Sequence, residues 1–391
     1  MHFDVIVAGG GTVGASIVRA LRGLSVALVA SHRPAAPTPS GPDVFDGRVY
    51  ALSPGSVDFL RSIKAWDLIP KDRLTAVRAM NVFAMDHTPG QKAGIEFDAY
   101  RAGVAELAWI VEDDQLQYAL WRALATQDGL EIFAPASCVS LGLGSRASLG
   151  LGDGRTLHAD LVVGADGAES FVREAAGISV EREPYGQTAV VANFSCGSPH
   201  RNTAYQWFRD GSILALLPLP GNRVSMVWSV ATEEAGRLLG LEANLLGREV
   251  TLASAETLGA LEPIGTPQSF PLRRVAVKQM VLPHLALAGD AAHVIHPLAG
   301  QGLNLGLQDA RSLGGCIALR EPVRTPGDFR LLRRYERDRS EAILAMRTTV
   351  HGLQSLFGAG HPALRRARNL GLNLTDRLPV LKNILLRHAL H

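Results

Sequence analysis

Residues 3–30 read FDVIVAGGGTVGASIVRALRGLSVALVA, and this stretch decides the fold. Phe3–Ala8 is an apolar, strand-like run that leads into Gly9-Gly10-Gly11-Thr12-Val13-Gly14. Apolar residues then return at helical spacing through Ile17, Val18 and Leu21, and Ser25–Ala30 reads as a second buried strand. Strand, glycine turn, helix and strand make a βαβ unit, which implies a parallel sheet with helical crossovers. Gly9, Gly11 and Gly14 carry the G-x-G-x-x-G spacing in that context. The first glycine permits the turn, the second lets a pyrophosphate approach the backbone, and the third lets the helix lie against the strand. The helix N-terminus then offers N–H groups to phosphate, so a dinucleotide site is expected. Its usual acidic partner lies about 20 residues on, at the end of the second strand, where it binds the ribose hydroxyls. Here the strand ends Val29-Ala30-Ser31 without a carboxylate. That leaves Ser31, backbone or Arg33 for the task, and Arg33 would suit a 2′-phosphate.

Outward from this unit, residues 31–43 are rich in proline and read as a surface loop, and helical spacing resumes from Ser53 to Ile69. Residues 138–163 read as a meander with Asp153-Gly154 as a two-residue hairpin turn. Between 185 and 230 the runs TAVVANFSC, SILALLPLP and RVSMVWSV form a mostly antiparallel block. After Phe270 the chain returns to a strand at 284–289 and a long helix from about 300. The expected architecture is α/β, with a discontinuous dinucleotide-binding domain of residues 1–75, 105–180 and 270–345. Residues 76–104 and 181–269 form an inserted antiparallel substrate domain, and 346–391 a helical, basic C-terminal region. The charge-dense helix around RRYERDRSEAI (328–357) is expected to present a solvated face with internal ion pairs.

With 39 Lys+Arg against 37 Asp+Glu the net charge is +2, which gives no global electrostatic case for nucleic acid. At 47% hydrophobic residues the chain is too apolar for disorder. Cys138, Cys196 and Cys316 are widely spaced, as expected of packing thiols in a reducing compartment, and no metal cluster is expected. The longest apolar stretches fall short of a membrane span, and the N-terminus lacks the pattern of a secretory signal. A cytoplasmic protein is expected. Residues 361–391 hold six Lys+Arg and one acid between recurring leucines. They suit either a peripheral contact with the inner face of a membrane or a helix packed on the body.

Two further constellations carry chemistry. Asp160-Leu-Val-Val-Gly164-Ala165-Asp166-Gly167-Ala168-Glu169-Ser170, followed by Arg173, runs a strand into a turn that can aim backbone amides and a carboxylate at the cleft. Gly289-Asp290-Ala291-Ala292-His293 precedes HPLAGQGLNLGLQDA (296–310), a small-residue loop entering a helix, suited to stabilising negative charge. In this order and spacing the three patches resemble the single-component flavin aromatic hydroxylases, the para-hydroxybenzoate hydroxylase-like group. With RVYALSPGS (48–56) and WIVE (109–112), the wording is similar to the ubiquinone-biosynthesis hydroxylase family, over about residues 1–380.

The resemblance implies a Rossmann-type FAD-binding domain and a monooxygenase that uses NADH or NADPH and O2, through a flavin C4a-hydroperoxide, on a polyprenylated phenol or quinol. It assigns the FAD diphosphate to Gly9, Gly11 and Gly14. Arg48 and Gln115 become further FAD contacts, Asp290 a ligand of the ribityl hydroxyls, and Asp166 a link to FAD and NAD(P)H. Gly302, Leu303 and Asn304 would lie against the isoalloxazine, and Pro297 near its reactive edge. A phenolate is the easier ring to attack, so His293 and His296 are the candidate base or relay. Tyr205, Trp207, Phe208 and Trp228 either line a prenyl cavity or pack in a core. A hydroxylase of a soluble aromatic metabolite, and a non-catalytic flavin-binding subunit of a ubiquinone-biosynthesis complex, remain alternatives. An apolar rather than a cationic pocket separates the first two.

Overall fold

A computed structural model describes residues 1–37, 44–85, 92–209, 211–295 and 301–358. The opening stretch forms the strand His2–Ala8, the helix Thr12–Ala20 and the strand Val26–Val29. The two strands pair in parallel, Val5 against Val26 through Ala8 against Val29. Leu130–Phe133 extends the sheet on one side, Thr156–Gly164 and then Leu285–Leu287 on the other, all parallel. Val5–Ala8 and Val26–Val29 are buried, and a strand covered on both faces must be apolar throughout. The chain thus leaves this sheet after Gly164 and re-enters it at Val281, whose short strand Val281–Leu282 pairs with Leu285–Leu287 at the edge. The meander forms from Cys138–Leu143, Ala147–Leu151 and Thr156–Gly164. Leu151 N–H bonds Arg155 O at 2.8 Å, so the turn holds three residues, Gly152 to Gly154, one more than expected.

The second sheet has eight strands, ordered 293–294, 261–277, 180–196, 223–231, 212–219, 203–209, 79–85 and 92–98. All its pairs are antiparallel except 203–209 with 79–85. The strand Leu261–Val277 runs through the expected boundary at 269/270, and His293–Val294 joins the sheet edge. The sheet therefore draws on residues assigned to the nucleotide-binding domain. Side chains alternate across its plane. Val190, Phe194, Leu214, Leu216 and Met226 form a core with Leu238, Leu246 and Val250 from the helices Thr232–Leu239 and Ala243–Ala253. The opposite face looks onto a cavity. Trp207 and Trp228 belong to the core, and Tyr205 packs at its margin and also reaches the cavity.

Two separated patches of sequence meet in a small third sheet, where Val49–Leu52 pairs with Ala108–Glu112, Val49 opposite Glu112 and Leu52 opposite Trp109. The helix Phe329–Gly358 departs from expectation. Only part of it is a solvated face, such as exposed Arg334 paired with Glu321. Tyr335 is buried and donates to Leu287 O at 2.9 Å, Glu336 accepts from Met280 N–H at 2.7 Å, and Arg339 reaches inward. Residues 361–391 lie outside the described residues.

Candidate active site

A cavity of about 650 Å³ lies between the two large sheets. Its nucleotide end starts at the glycine turn. Gly9 has φ 111°, and a Cβ there would overlap the backbone of Ala165; one on Gly14 would overlap the carbonyl of Gly9. A Cβ on Gly11 would meet nothing within 4 Å, because Gly11 faces the cavity. Packing therefore requires two of the glycines, and the third leaves open space beside the helix N-terminus. That helix has no side-chain cap, which leaves its first N–H groups for an anion. Trp121 Nε1 donates to Gly10 O at 2.8 Å and steadies the turn, a role invisible in the motif.

The second and third constellations flank this turn. Ala165, Gly167 and Ala168 line the cavity, whereas the Asp166 carboxylate serves its own loop: it accepts from Ser170 Oγ at 2.5 Å and Val172 N–H at 3.0 Å. Fully buried Arg173 donates to Ala168 O at 2.8 Å and Ala291 O at 3.0 Å, so one guanidinium ties the two loops together. Asp290 faces the cavity, and among the described residues its carboxylate makes no hydrogen bond. The surrounding protein pushes its pKa above the usual carboxylate range, against the pull of His293, Arg48 and Arg273.

Several predicted site residues turn out to hold the walls. His293 is buried, with Nε2 2.7 Å from Asp309 Oδ2, and it does not line the cavity. This geometry corrects its reading as a candidate base, since its described bond fixes the Gly289–His293 turn. Asp309 also accepts from Gly289 N–H at 2.9 Å and Arg339 Nε at 2.7 Å. Burial alone would raise the Asp309 pKa, but His293 and Arg339 outweigh it and hold the carboxyl below its usual range. Asp309 belongs to the third constellation of the sequence, but its partner Arg339, 30 residues on in another helix, did not stand out as part of the site. His296 and Pro297 lie outside the described residues. Gly302 and Leu303 line the cavity; buried Asn304 turns away, accepting from Ser53 N–H at 2.9 Å and Ser56 Oγ at 2.7 Å and donating to Ala51 O at 2.9 Å.

Arg48 lines the cavity, and its guanidinium carbon stands 5.4 Å from the Tyr50 ring centre. Glu112 anchors the segment that carries it, taking Asp46 N–H at 2.7 Å and the Arg73 guanidinium at 2.6 and 2.8 Å. Gln115 is not at the wall. Asp113 and Gln117 are, joined by a 2.8 Å bond, since helix positions two apart face different ways. Ser31 and Arg33 stand exposed and neither lines the cavity.

The far end is apolar. The sheet contributes Ala189, Val191, Ile213, Ala215, Leu217 and Val227, and Met80, Phe97 and Leu107 extend the surface. Arg48 and Arg273 are the described cations of the lining, and both act on Asp290 at the nucleotide end.

The FAD binding domain family matches residues 2–349. Ubiquinone hydroxylase UbiL of Rhodospirillum rubrum is 34% identical, over 99% of this chain and 89% of that protein. The 3-demethoxyubiquinol 3-hydroxylase of Escherichia coli is 33% identical, over 99% of this chain and 98% of its own length. The chain belongs to the ubiquinone-biosynthesis FAD-dependent hydroxylase family. p-Nitrophenol 4-monooxygenase PnpA of Pseudomonas putida has the same fold, with a TM-score of 0.78 at 18% identity, over 100% of this chain and 98% of that one.

For a member of this hydroxylase family the cavity fits FAD. The gap at Gly11 beside the uncapped helix suits the diphosphate. The Asp290 carboxylate, without a hydrogen-bond partner among the described residues, suits ribityl hydroxyls, and the Gly302–Leu303 backbone at the start of the helix Gln301–Ala318 suits the ring. The protein is an FAD-dependent monooxygenase.

Proposed function

We propose that this monooxygenase hydroxylates the ring of a polyprenylated phenol or quinol in ubiquinone biosynthesis, with NADH or NADPH as electron donor. The observation that carries the substrate class is the sheet face of the cavity, where small apolar side chains stand and the described cations are confined to the Asp290 end. A soluble aromatic acid needs a cation for its carboxylate, because an unpaired buried charge is costly. A prenyl chain gains from each methylene buried, about 0.8 kcal/mol apiece.

Bound FAD, reduced by NAD(P)H, supplies the oxygen-activating chemistry. Gly9, Gly11 and Gly14 hold its diphosphate, Asp290 its ribityl hydroxyls, and Gly302 with Leu303 its ring. The apolar wall orients the substrate and excludes water, which protects a reactive oxygen donor from wasteful release. Pro297 near the ring edge and His296 as a proton relay belong to this proposal on the sequence resemblance. Asp166 enters it through the backbone of its loop.

The test is turnover of a short-chain prenylphenol under isotopically labelled O2. The reading expects substrate-stimulated NAD(P)H oxidation and one labelled oxygen atom in the product. Bound flavin with unlabelled product, or with no turnover, contradicts it and favours the non-catalytic subunit.

Among the described residues no helix is long and apolar enough to cross a membrane. The basic, leucine-bearing segment 361–391 supports a peripheral contact on the cytoplasmic side, where a prenylated substrate resides. Deleting it should weaken binding to anionic liposomes and leave bound flavin in place; undiminished liposome binding rejects the contact.

A further inference from the structure

Two polar side chains of the described sheet face, Gln206 and Ser229, stand among its apolar residues in the cavity lining. Gln206, in the strand Thr203–Arg209, is 4% exposed and lines the cavity. Its cross-strand neighbours are Ala215 and Val82, and the residues two positions along are Ala204 and Phe208. Among the described residues its carboxamide has no hydrogen-bond partner. The amide therefore stands open to the cavity, where its hydrogen-bonding capacity is left for a ligand. Ser229 also lines the cavity, two strands across and two residues along, about 12 Å away by sheet spacing. A hydroxyl at that distance addresses a different part of a ligand.

We infer that Gln206 is the polar anchor of the substrate, its carboxamide hydrogen-bonding a ring oxygen and so fixing which ring carbon is presented for hydroxylation. The chemistry of the group suits this task. Its N–H donates to a phenolate or carbonyl oxygen, and its Oε1 accepts from a hydroxyl, so phenol, phenolate and quinol oxygens are all recognised. Being uncharged, it gives no ion pair to a ring carboxylate. The surrounding wall holds the apolar remainder of the ligand and leaves the Gln206 amide as the polar contact within its reach, which is how an apolar pocket acquires orientation. The inference rests on the proposed substrate class and sharpens it.

The test compares the wild type with Gln206→Met, a close match in shape that lacks both donor and acceptor, and with Gln206→Leu. Both variants should keep their full FAD content. Their kcat/KM for a short-chain prenylphenol should fall roughly 10- to 100-fold, with product spread over more than one ring position. A prenylbenzene without a ring oxygen should bind wild type and variants alike. Because the amide faces the cavity and bonds no described residue, the melting temperature should stay within about 1–2 °C of the wild type. A residue that merely supports the sheet predicts a clearly lowered melting temperature instead. Retention of kcat/KM within twofold and of a single product, or a lowered melting temperature, overturns the inference. Failure of the substrate reading itself would show in the wild type alone, as flavin-loaded protein that neither binds nor hydroxylates the prenylphenol, and would overturn the anchor with it.

Discussion

At the nucleotide end of the cavity Asp166, His293, Asn304 and Glu112 are each bonded to another part of the protein. On the sheet face the side chains of Ala189, Val191, Ile213 and Val227 offer no polar atoms, and the amide of Gln206 has no partner among the described residues. The contrast separates two ways of building a wall. At the first end side chains hold the backbone, and backbone amides, glycine gaps and the carboxylate of Asp290 are what remain for the cofactor. At the second the side chains are themselves the surface, so their volume and polarity select the ligand. Substitutions of the side chains that hold the backbone at the first end should cost folding and flavin together, while those on the sheet face should change substrate choice with the fold intact.

The largest effect should come from Asp309→Asn. It leaves buried Arg339 without its counter-charge and weakens the hold on His293, a loss of about 3–5 kcal/mol where a buried pair is broken. Chemical denaturation with a parallel flavin assay measures it, and unchanged stability would mean that the network is decorative. The same residue fixes the acid limb. Its folded pKa is depressed, so its contribution is present above the unfolded carboxylate value, near 3.9, and fades as pH falls through the lower folded value. In the Asp309→Asn variant that part of the acid dependence should be missing.

Next in size is a pair of glycine substitutions that should part company. Gly14→Ala drives a methyl group into the Gly9 carbonyl and should lower stability by about 1–3 kcal/mol. Gly11→Ala meets no protein atom and should fold normally, yet weaken FAD by about tenfold or more because the methyl occupies the approach to the phosphate. Equal melting temperatures for the two variants would refute this division of labour. The smallest effect on stability is expected from Ala215→Leu on the sheet face. It should leave flavin content intact and reduce kcat/KM for long-chain substrates by about 10- to 100-fold relative to short ones, on the scale of methylenes in an apolar pocket.

The sequence disclosed most where a local rule operates. The βαβ unit, the re-entry of the chain near 285 and the alternation of 212–219 and 223–231 follow from period and turn chemistry over a few residues. Wall positions at Gly11, Arg48, Asp290, Gly302 and Leu303 were legible for the same reason. What was not legible depends on which way a side chain points once distant segments meet. Asn304 and Gln115 sit in the right patches but face away from the cavity, whereas Gln117 faces it. His293 was read as chemistry because Asp309, its partner, is 16 residues off on another element. Arg173 joins two loops 118 residues apart, which no spacing rule reports. Gln206 carried no signal, since one glutamine in an alternating strand marks neither face until the sheet is assembled.

The most direct test of the account is kcat/KM measured with the wild-type protein across 4-prenylphenols of increasing chain length, beside 4-hydroxybenzoate. A steady rise with each isoprene unit, and little turnover of the carboxylate, is the result expected from an apolar wall with its cations at the cofactor end. A flat series, or preference for the carboxylate, would contradict it.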